Sequence, residues 1–339
     1  MIVDCHAHLF APEGLYAFRA DLLADGGYHP LTPKVSQRRL ETFAARNVEY
    51  MDSVGTDVQL LSPRPYHAMH SVRPARILPI WTAATNDVIA RTVALYPNRF
   101  AGVAGLPIGA GQPVEVCFDE LHRAIDELGF VGVCVNPDPY EGTGFTPGLG
   151  DEFWYPLYAE LVELDVPALV HAAGCFNERE TYSEHFITEE SVAIMSLMRS
   201  RVFDEFPDLR IVVAHGGGSV PYQIGRWQAD WSHNELSDGT REDFTTALRR
   251  LWFDTVLHHP LSLELLLRTV GPDRCLFGTE RPGSGTSPNP RTGRDYDDLK
   301  PVIDGFDFLT DAERTAVFAG NARTVYPRLS LPVTASSPA

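Results

Sequence analysis

Short hydrophobic runs recur along the chain and alternate with amphipathic stretches of helical period. The runs show no strict apolar–polar alternation, which is typical of strands buried on both faces. Eight runs are predicted as strands: Ile2–Cys5, Val58–Leu61, Phe100–Leu106, Phe130–Val135, Ala168–Val170, Ile211–Ala214, Leu251–Phe253 and Arg274–Phe277. The predicted helices include Leu40–Val54, Trp81–Tyr96, Pro113–Leu128, Phe153–Leu164, Glu189–Phe206 and Leu261–Val270. Eight strands that alternate with helices favour an α/β fold with one closed, parallel (β/α)8 barrel of the TIM type.

Two segments are longer than a minimal barrel needs. Leu23–Arg39 follows the first strand, and Gly283–Lys300 follows the last. Neither has a repeating hydrophobic pattern, and long loops of this kind are usually lids or binding loops. We therefore expect lid insertions after strands 1 and 8. The chain of 339 residues has no long polar linker, so we expect one barrel over residues 1–329 and a flexible tail at 330–339.

Polar side chains occur at the C-terminal ends of seven of the eight predicted strands. In chain order they are His6 and His8, Ser62 and Arg64, Asn136, His171, His215, Asp254, and Thr279 with Glu280. The third strand, which ends at Leu106, contributes none. Active sites of such barrels lie at this end of the strands, so these side chains are expected to meet at one mouth.

The four histidines in this set indicate a metal site. His6 and His8 follow the first predicted strand, and their spacing of two places both imidazoles on one side of an extended chain. A single strand-end histidine is more often a hydrogen-bonded structural residue. Four of them at three strand ends favour metal binding instead. Imidazole donors suit Zn²⁺ first, with Mn²⁺ or Fe²⁺ as alternatives.

Composition and charge narrow the range of partners. The chain carries 45 acidic against 28 basic residues, a formal net charge of −17. Nucleic acids and anionic membranes require a basic surface, so neither is expected as a partner. The N-terminus lacks the pattern of a signal peptide, and no stretch reaches the roughly 18 apolar residues of a membrane span. The five cysteines are scattered without a CxxC pair, so we expect reduced thiols and a cytoplasmic protein.

Several segments resemble the decarboxylase-like branch of the amidohydrolase superfamily. They are HAH at the first strand, VHAAG at the fifth, AHGGGSVPYQIGRW at the sixth, LFGTERPGSG at the eighth and the closing GNARTVYPRL. Within that branch, GTDVQLLSPR, VNPDP, HGGGSVPY and PRTGRDYDDLKPVID are similar to the 4-oxalomesaconate hydratases of aromatic catabolism. The resemblance extends from Met1 to about Leu329.

The resemblance implies one divalent metal ion, with His6, His8, His171 and Glu280 as ligands. It also implies that His215 is not a ligand, or at most a weak one, and lies near the reacting carbon, where an imidazole can move a proton. Decarboxylases of the branch usually carry Asp at the last ligand position, whereas this chain has Glu, as the hydratases do. The longer side chain could contact both the metal and a bound water.

Three further strand-end residues are candidates for contacts with an acidic substrate. Arg64 could bind a substrate carboxylate in a forked hydrogen bond, or form an ion pair at the barrel rim. Asn136 could donate to a substrate oxygen, or fix the turn imposed by the prolines around it. Arg281 could contact the substrate, or form a salt bridge with Asp297 or Asp298.

Two more positions bear on the reaction and on its specificity. Asp254 could orient His215 as part of the catalytic set, or form a purely structural pair. Hydratases of this kind tend to carry a tyrosine in the segment that reads SEHFITEE here, at 183–190. Phe186 has no hydroxyl group, so a substrate contact could be missing, and His185 could compensate for it.

The leading hypothesis is therefore a metal-dependent hydratase, a carbon–oxygen lyase that adds water to an unsaturated polycarboxylate or keto acid. The alternative is non-oxidative decarboxylation of an aromatic or muconate-type acid by the same residues. Hydrolysis of a lactone or an amide follows only from the breadth of the superfamily. A binding module without catalysis is disfavoured by the complete ligand set. We further expect a small acidic substrate and a homo-oligomer of two or more chains.

Overall fold

Eight parallel strands in chain order form the centre of the fold. The computed structural model describes residues 1–29, 31–233 and 242–331. The strands are β1 Val3–His8, β2 Val58–Ser62, β3 Phe100–Gly105, β4 Gly132–Val135, β5 Ala168–Val170, β6 Ile211–Val213, β7 Trp252–Asp254 and β8 Cys275–Leu276. The amide of Cys5 donates to Phe277 O (2.8 Å) and that of His8 to Arg281 O (3.0 Å), which joins β1 to the segment after β8. The predicted (β/α)8 barrel is thereby confirmed.

Helices occupy the connections between the strands and the segment that follows β8. They are α1 Glu13–Asp25, α2 Gln37–Val54, α3 Ile77–Leu95, α4 Phe118–His122, α5 Tyr155–Glu163, α6 Tyr182–Met198, α7 Val202–Glu205, α8 Ile224–His233, α9 Phe244–Leu248, α10 Pro260–Val270, α11 Lys300–Asp304, α12 Asp311–Thr315 and α13 Asn321–Val325. In the described parts of the chain, no helix combines the length and the apolar character that crossing a membrane requires. All five cysteines are free.

Three predicted boundaries of strands, helices and loops are wrong, and the structure shows the reason for each. Strand β1 extends to His8, because Ala7 and His8 still pair with β2, so both histidines lie inside the strand rather than after it. Helix α6 begins at Tyr182, seven residues before the predicted start, because Thr181 and Glu184 form a capping box there. The expected loop Leu23–Arg39 is shortened by α1 at one end and by α2 at the other.

The lid expected after β8 stays a prediction, although the beginning of the segment borders a cavity. Gly283 and Ser284 line the cavity beside Glu280. Further along, the segment is irregular apart from a bridge between Pro288 and Asp295. Of the expected flexible tail, residues 332–339 lie outside the described part of the chain.

The strand residues are buried on both faces, as the missing alternation predicted. One apolar cluster draws buried residues from seven of the strands and from Val131, just before β4, and therefore fills the inside of the barrel: Val3, Cys5, Val58, Leu60, Ala101, Val103, Val131, Leu169, Val212, Ala214, Trp252 and Leu276. Tyr326 and Val325 from the C-terminal helical region belong to the same cluster. Tyr326 lies against the start of β4, where a Cβ on Gly132 would meet its ring at 3.0 Å. The C-terminal helix thus closes the N-terminal end of the barrel, and the other end remains for a site.

Candidate metal centre

Three histidines meet at the C-terminal end of the barrel. His6 and His8 belong to β1, and His171 follows β5 directly. The ring centroids are separated by 5.1 Å for His6 and His8, 4.9 Å for His6 and His171, and 5.3 Å for His8 and His171. All three are buried, and one ligand atom of each lies within 4.8 Å of the others. A triangle of imidazoles with this spacing could hold a metal ion.

As far as the chain is described, each of these rings has one nitrogen in a hydrogen bond and the other without a partner. The Nδ1 atom of His6 lies 2.6 Å from Asp254 Oδ2, that of His8 lies 2.9 Å from Ser62 Oγ, and that of His171 lies 2.6 Å from Ala172 O. All three Nε2 atoms are buried without a hydrogen-bond partner among the described residues. Leaving such a nitrogen unsatisfied costs about 1–3 kcal/mol, which coordination to a metal would offset. The residues present therefore fit a metal ion.

The electrostatics of the triangle also fit metal binding. Burial lowers the pKa of His8 well below its usual value, and the neighbouring His6 lowers it further. Burial likewise lowers the pKa of His171, with His215 and His6 adding to the effect. Both rings are thus neutral near neutral pH, and a neutral imidazole is the form that binds a metal.

Glu280 brings a carboxylate to this group of histidines. One of its oxygens lies within 4.8 Å of ligand atoms of His171 and His215. Its Oε2 accepts hydrogen bonds from the Ser284 hydroxyl (2.9 Å) and the Ser284 amide (3.2 Å). A Cβ on Gly283 would lie 2.6 Å from Oε2, so this close approach of the chain requires glycine. The segment after β8 thus holds the carboxylate in one position.

His215 lies beside the three histidines and is held by a residue that sequence reasoning did not find. Its Nδ1 donates to Glu190, with 2.8 Å to Oε1 and 3.0 Å to Oε2. Its Nε2 lies 3.3 Å from Glu280 Oε1. Glu190 is fully buried on α6, 25 residues before His215, and no motif marks it in the sequence. The ring is therefore fixed between two carboxylates.

These two carboxylates decide the charge of His215. Burial alone would lower its pKa, but Glu190 and Glu280 outweigh burial and raise the pKa well above the usual value. Burial would raise the pKa of Glu280, but the hydrogen bond to His215 and the nearby imidazole of His258 outweigh burial and lower the pKa well below the usual value. Both shifts favour a protonated imidazole at His215 that faces an ionised carboxylate at Glu280.

Asp254 orients His6 rather than His215, which corrects the sequence-based expectation. Its Oδ2 lies 2.6 Å from His6 Nδ1. Its Oδ1 accepts hydrogen bonds from the amides of Gly216 (3.1 Å) and Val256 (3.0 Å). The carboxylate is fully buried, so its partners are set by the strand ends on either side of β7. Asp254 therefore positions a candidate ligand and the turn after His215.

Arg64 lies where two cavities adjoin. One cavity of about 430 Å³ is bordered by His8, Arg64, His215, His258 and Glu280. A smaller and mainly apolar one of about 50 Å³ is bordered by Arg64 together with His171. Within the described ranges Arg64 forms no ion pair, so the alternative of a salt bridge at the rim is not observed. Its guanidinium is available to a ligand in the mouth.

The other predicted substrate contacts have partners within the protein. Asn136 exchanges hydrogen bonds with the backbone of Asp138 (2.9 and 3.1 Å), which is the turn-fixing alternative, although it also lines the smaller cavity. Arg281 forms the alternative salt bridge with Asp297, at 2.8 Å. His185 is buried against Glu180 and lines a separate cavity. Arg281 and His185 are therefore bonded within the protein, and their contact with a substrate stays a prediction.

Two aromatic rings complete the mouth. His258 lies in the loop after β7 and was not predicted as a site residue. Its Nε2 lies 3.7 Å from Glu280 Oε2, and its ring borders the larger cavity. Its place just after a strand end was the signal that could have identified it. Phe186 packs against His171 and His215, with ring centroids 4.9 and 5.8 Å apart. The position where a tyrosine was expected therefore does lie at the site.

Comparison with known proteins agrees with this geometry. The family model described as Amidohydrolase matches residues 3–328. The chain is 36% identical over 337 residues to 2-keto-4-carboxy-3-hexenedioate hydratase of Sphingobium sp., covering 97% of each chain. It is 30% identical over 316 residues to gamma-resorcylate decarboxylase of Rhizobium radiobacter, covering 86% of this chain and 90% of the relative. The crystal structure of 4-oxalomesaconate hydratase from Rhodopseudomonas palustris superimposes with a TM-score of 0.84 and 32% identity, covering 97% and 96% of the two chains. With a family match over nearly its whole length and a barrel whose histidines meet at one mouth, the chain belongs to the amidohydrolase family.

Proposed function

We propose that the chain is a metal-dependent hydratase that adds water across a carbon–carbon double bond of a small unsaturated polycarboxylate or keto acid. The observation that carries the proposal is the buried pair of His215 and Glu280, 3.3 Å apart, beside the three histidines. Hydration needs one group that accepts a proton from water and another that donates a proton to carbon. A carboxylate facing a protonated imidazole supplies both.

The proposed ligands are His6, His8, His171 and Glu280. The donor atoms of the three histidines converge, their Nε2 atoms have no hydrogen-bond partner among the described residues, and a Glu280 oxygen lies within 4.8 Å of a His171 ring nitrogen. Three imidazoles and a carboxylate suit Zn²⁺ first and Mn²⁺ second. A bound divalent ion would act there as a Lewis acid.

Each step of the addition is assigned to a residue of this chain. Glu280 orients the water and accepts its proton as the oxygen–carbon bond forms. The electron pair of the double bond moves toward the conjugated carbonyl or carboxylate group, and His215 then donates its proton to the neighbouring carbon. Glu190 holds the His215 ring and stabilises its protonated form. Glu280 takes one proton from water and His215 gives one proton to carbon, so the addition is balanced.

Arg64 is proposed to bind a carboxylate of the substrate. It borders both cavities, and an arginine can form two parallel hydrogen bonds with a carboxylate. The acidic net charge of the chain gives an anionic substrate little attraction elsewhere, so one arginine at the mouth would direct it.

The alternative function, decarboxylation of an aromatic acid, is supported by the 30% identity to a gamma-resorcylate decarboxylase. It would use the same metal and His215 as the proton donor to carbon. It needs no water held by a carboxylate, so the role of Glu280 separates the two functions.

The test is product analysis in ¹⁸O-labelled water. The metal-loaded protein is incubated with oxalomesaconate-like and hydroxybenzoate-like acids. A hydratase places the label in a new alcohol group without release of carbon dioxide. Carbon dioxide release would replace the proposal with the decarboxylase, and label in a new carboxylate would indicate a hydrolase.

A further inference from the structure

A second group of potential ligands surrounds His185, outside the site described above. Asp138 lies in the segment after β4, and His185 and Glu189 lie one turn apart on α6. One ligand atom from each of the three lies within 4.8 Å of the others. They border a cavity of about 320 Å³. The proposed hydration uses none of these residues.

The ring of His185 repeats the arrangement of the three central histidines. Its side chain is 1% exposed, and its Nδ1 lies 3.0 Å from Glu180 Oε2. Its Nε2 is buried, has no hydrogen-bond partner in the described part of the chain and lies 3.6 Å from Asp138 Oδ2. A carboxylate on one ring nitrogen sets the tautomer and leaves the other nitrogen as a metal donor. Within the described residues this pattern, Nδ1 bound and Nε2 buried without a partner, occurs at His6, His8, His171 and His185.

The cavity is also rich in acidic groups. Three carboxylates, from Asp138, Glu180 and Glu189, surround one imidazole, and neither lysine nor arginine is among the described residues that line the cavity. A divalent cation would offset this concentration of negative charge.

Asp138 is already oriented for such a role. Its Oδ1 accepts hydrogen bonds from Thr146 Oγ1 (2.6 Å) and the Tyr140 amide (3.1 Å), and its Oδ2 accepts one from the Gly142 amide (2.6 Å). The carboxylate is therefore fixed with one oxygen near His185. A site whose ligands are already ordered loses little conformational entropy when an ion binds.

We propose that Asp138, His185 and Glu189 bind a second divalent metal ion of the Zn²⁺ or Mn²⁺ class. One imidazole and two carboxylates are the nitrogen and oxygen donors that such ions take. Bound there, the ion joins the segment after β4 to α6. The same helix carries Phe186 and Glu190, which contact the central histidines, so the second ion stabilises the wall of the active site without entering the reaction.

Metal counting tests the proposal. The full chain is stripped with a chelator, dialysed against Zn²⁺ or Mn²⁺, and its metal content is measured. The wild type is expected to hold two ions per chain, and Glu189→Gln one. Glu178→Gln is the matched control, since it makes the same change on an exposed residue of the preceding segment, and it is expected to hold two. One ion in the wild type, or two in Glu189→Gln, would overturn the proposal.

Thermal unfolding gives a second readout that is independent of activity. The wild type with its central site filled should gain a further increase in Tm as the second ion binds, because a ligand of the folded state stabilises it. Glu189→Gln should lack this increase. His171→Ala should keep it, since it removes only a central ligand. A second increase that survives in Glu189→Gln would place the ion elsewhere.

Discussion

At the scale of single residues, His215 and Glu280 share an unusual backbone conformation. Their φ angles are +49° and +62°, in the left-handed region that costs a side-chain-bearing residue about 1–2 kcal/mol. The Glu280 amide donates to His6 O at 2.6 Å, which offsets part of that cost. Strained residues of this kind concentrate at functional sites, and these two are the residues assigned to proton transfer.

Removal of a ligand and removal of the proton donor should have different effects. His171→Ala is expected to lose both metal and activity, because it removes one of about four bonds to the ion. His215→Asn is expected to keep most of the metal and to lose about 10²- to 10⁴-fold in rate. Metal content and kcat/KM of the two purified variants check this. An empty site in His215→Asn would make His215 a ligand.

Glu280→Asp distinguishes hydratase from decarboxylase. A hydratase needs a carboxylate that reaches past the metal to a water, so the shorter side chain should keep the ion and lower turnover by at least ~10²-fold, about 2.7 kcal/mol. Rates are compared at equal metal occupancy, because a shorter ligand can also bind the ion less tightly. Nearly normal turnover in the loaded variant would favour decarboxylation.

Glu190→Gln should change the pH profile without changing metal content. Glu190 raises the pKa of His215, so its neutral replacement lowers that pKa. A proton donor with a lower pKa loses its proton at lower pH, and the fall in kcat on the alkaline side should therefore move to lower pH. The profile is measured beside that of the wild type at equal metal loading. An unmoved alkaline limb would show that Glu190 does not act through the charge of His215.

At the scale of elements, a chain of buried polar side chains connects β1 to its neighbours. Asn47 on α2 bonds to Gln59 on β2 at 2.7 Å, Gln59 to Asp4 on β1 at 2.8 Å, and Thr279 to Asp4 at 2.7 Å. Burial raises the pKa of Asp4 to about 6, although these hydrogen bonds oppose the rise. The network fixes the position of β1 relative to the end of β8, and it therefore brings His6 near Glu280.

The segment after β8 should tolerate no side chain at Gly283. In Gly283→Ala the new Cβ would meet Glu280 O at 2.4 Å and Oε2 at 2.6 Å, so the carboxylate would have to move. We expect weaker metal binding by roughly tenfold, about 1.4 kcal/mol, and a matching loss of activity. Titration of the stripped protein with Zn²⁺ measures this.

Gly225→Ala is the control for that variant. Gly225 is on α8, and apart from the backbone of that helix no described residue lies within 4 Å of its Cβ position. Alanine there should leave metal affinity unchanged and should stabilise the fold by about 0.4–1 kcal/mol. Equal metal affinity in Gly283→Ala and the wild type would contradict the assigned role of this turn.

At the scale of the whole molecule, the central ion would join distant parts of the chain. Its proposed ligands come from β1, from the end of β5 and from the end of β8. A ligand at about 1,000 times its Kd stabilises the folded state by about 4 kcal/mol, so chelation should lower Tm by roughly 5–10 °C. Calorimetry with and without chelator measures the shift. Unchanged Tm and activity in metal-free protein would exclude the central site.

The expected homo-oligomer stays a prediction, which the mass of the protein in solution would test.

Much of this architecture could be predicted from the sequence, because it depends on local pattern and on topology. Strands buried on both faces appear as uninterrupted apolar runs, and parallel strands in a barrel bring all their C-terminal ends to one mouth. His6, His8, His171 and Glu280 therefore converge by topology. The same reasoning predicted that Arg64 lies at this mouth, where it borders the larger cavity.

What only the tertiary structure decided is the choice of partner for each polar side chain. Asp254 bonds to His6 instead of His215, Arg281 to Asp297, and His215 to Glu190. Such choices depend on distances of a few ångströms between residues far apart in the chain and on the rotation of each helix about its axis. Helix α6 begins at the cap of Thr181, and its packing turns Phe186 to the central histidines and His185 to a separate group of carboxylates. Hydrophobic periodicity is a property of a single element, whereas these contacts arise only where elements meet.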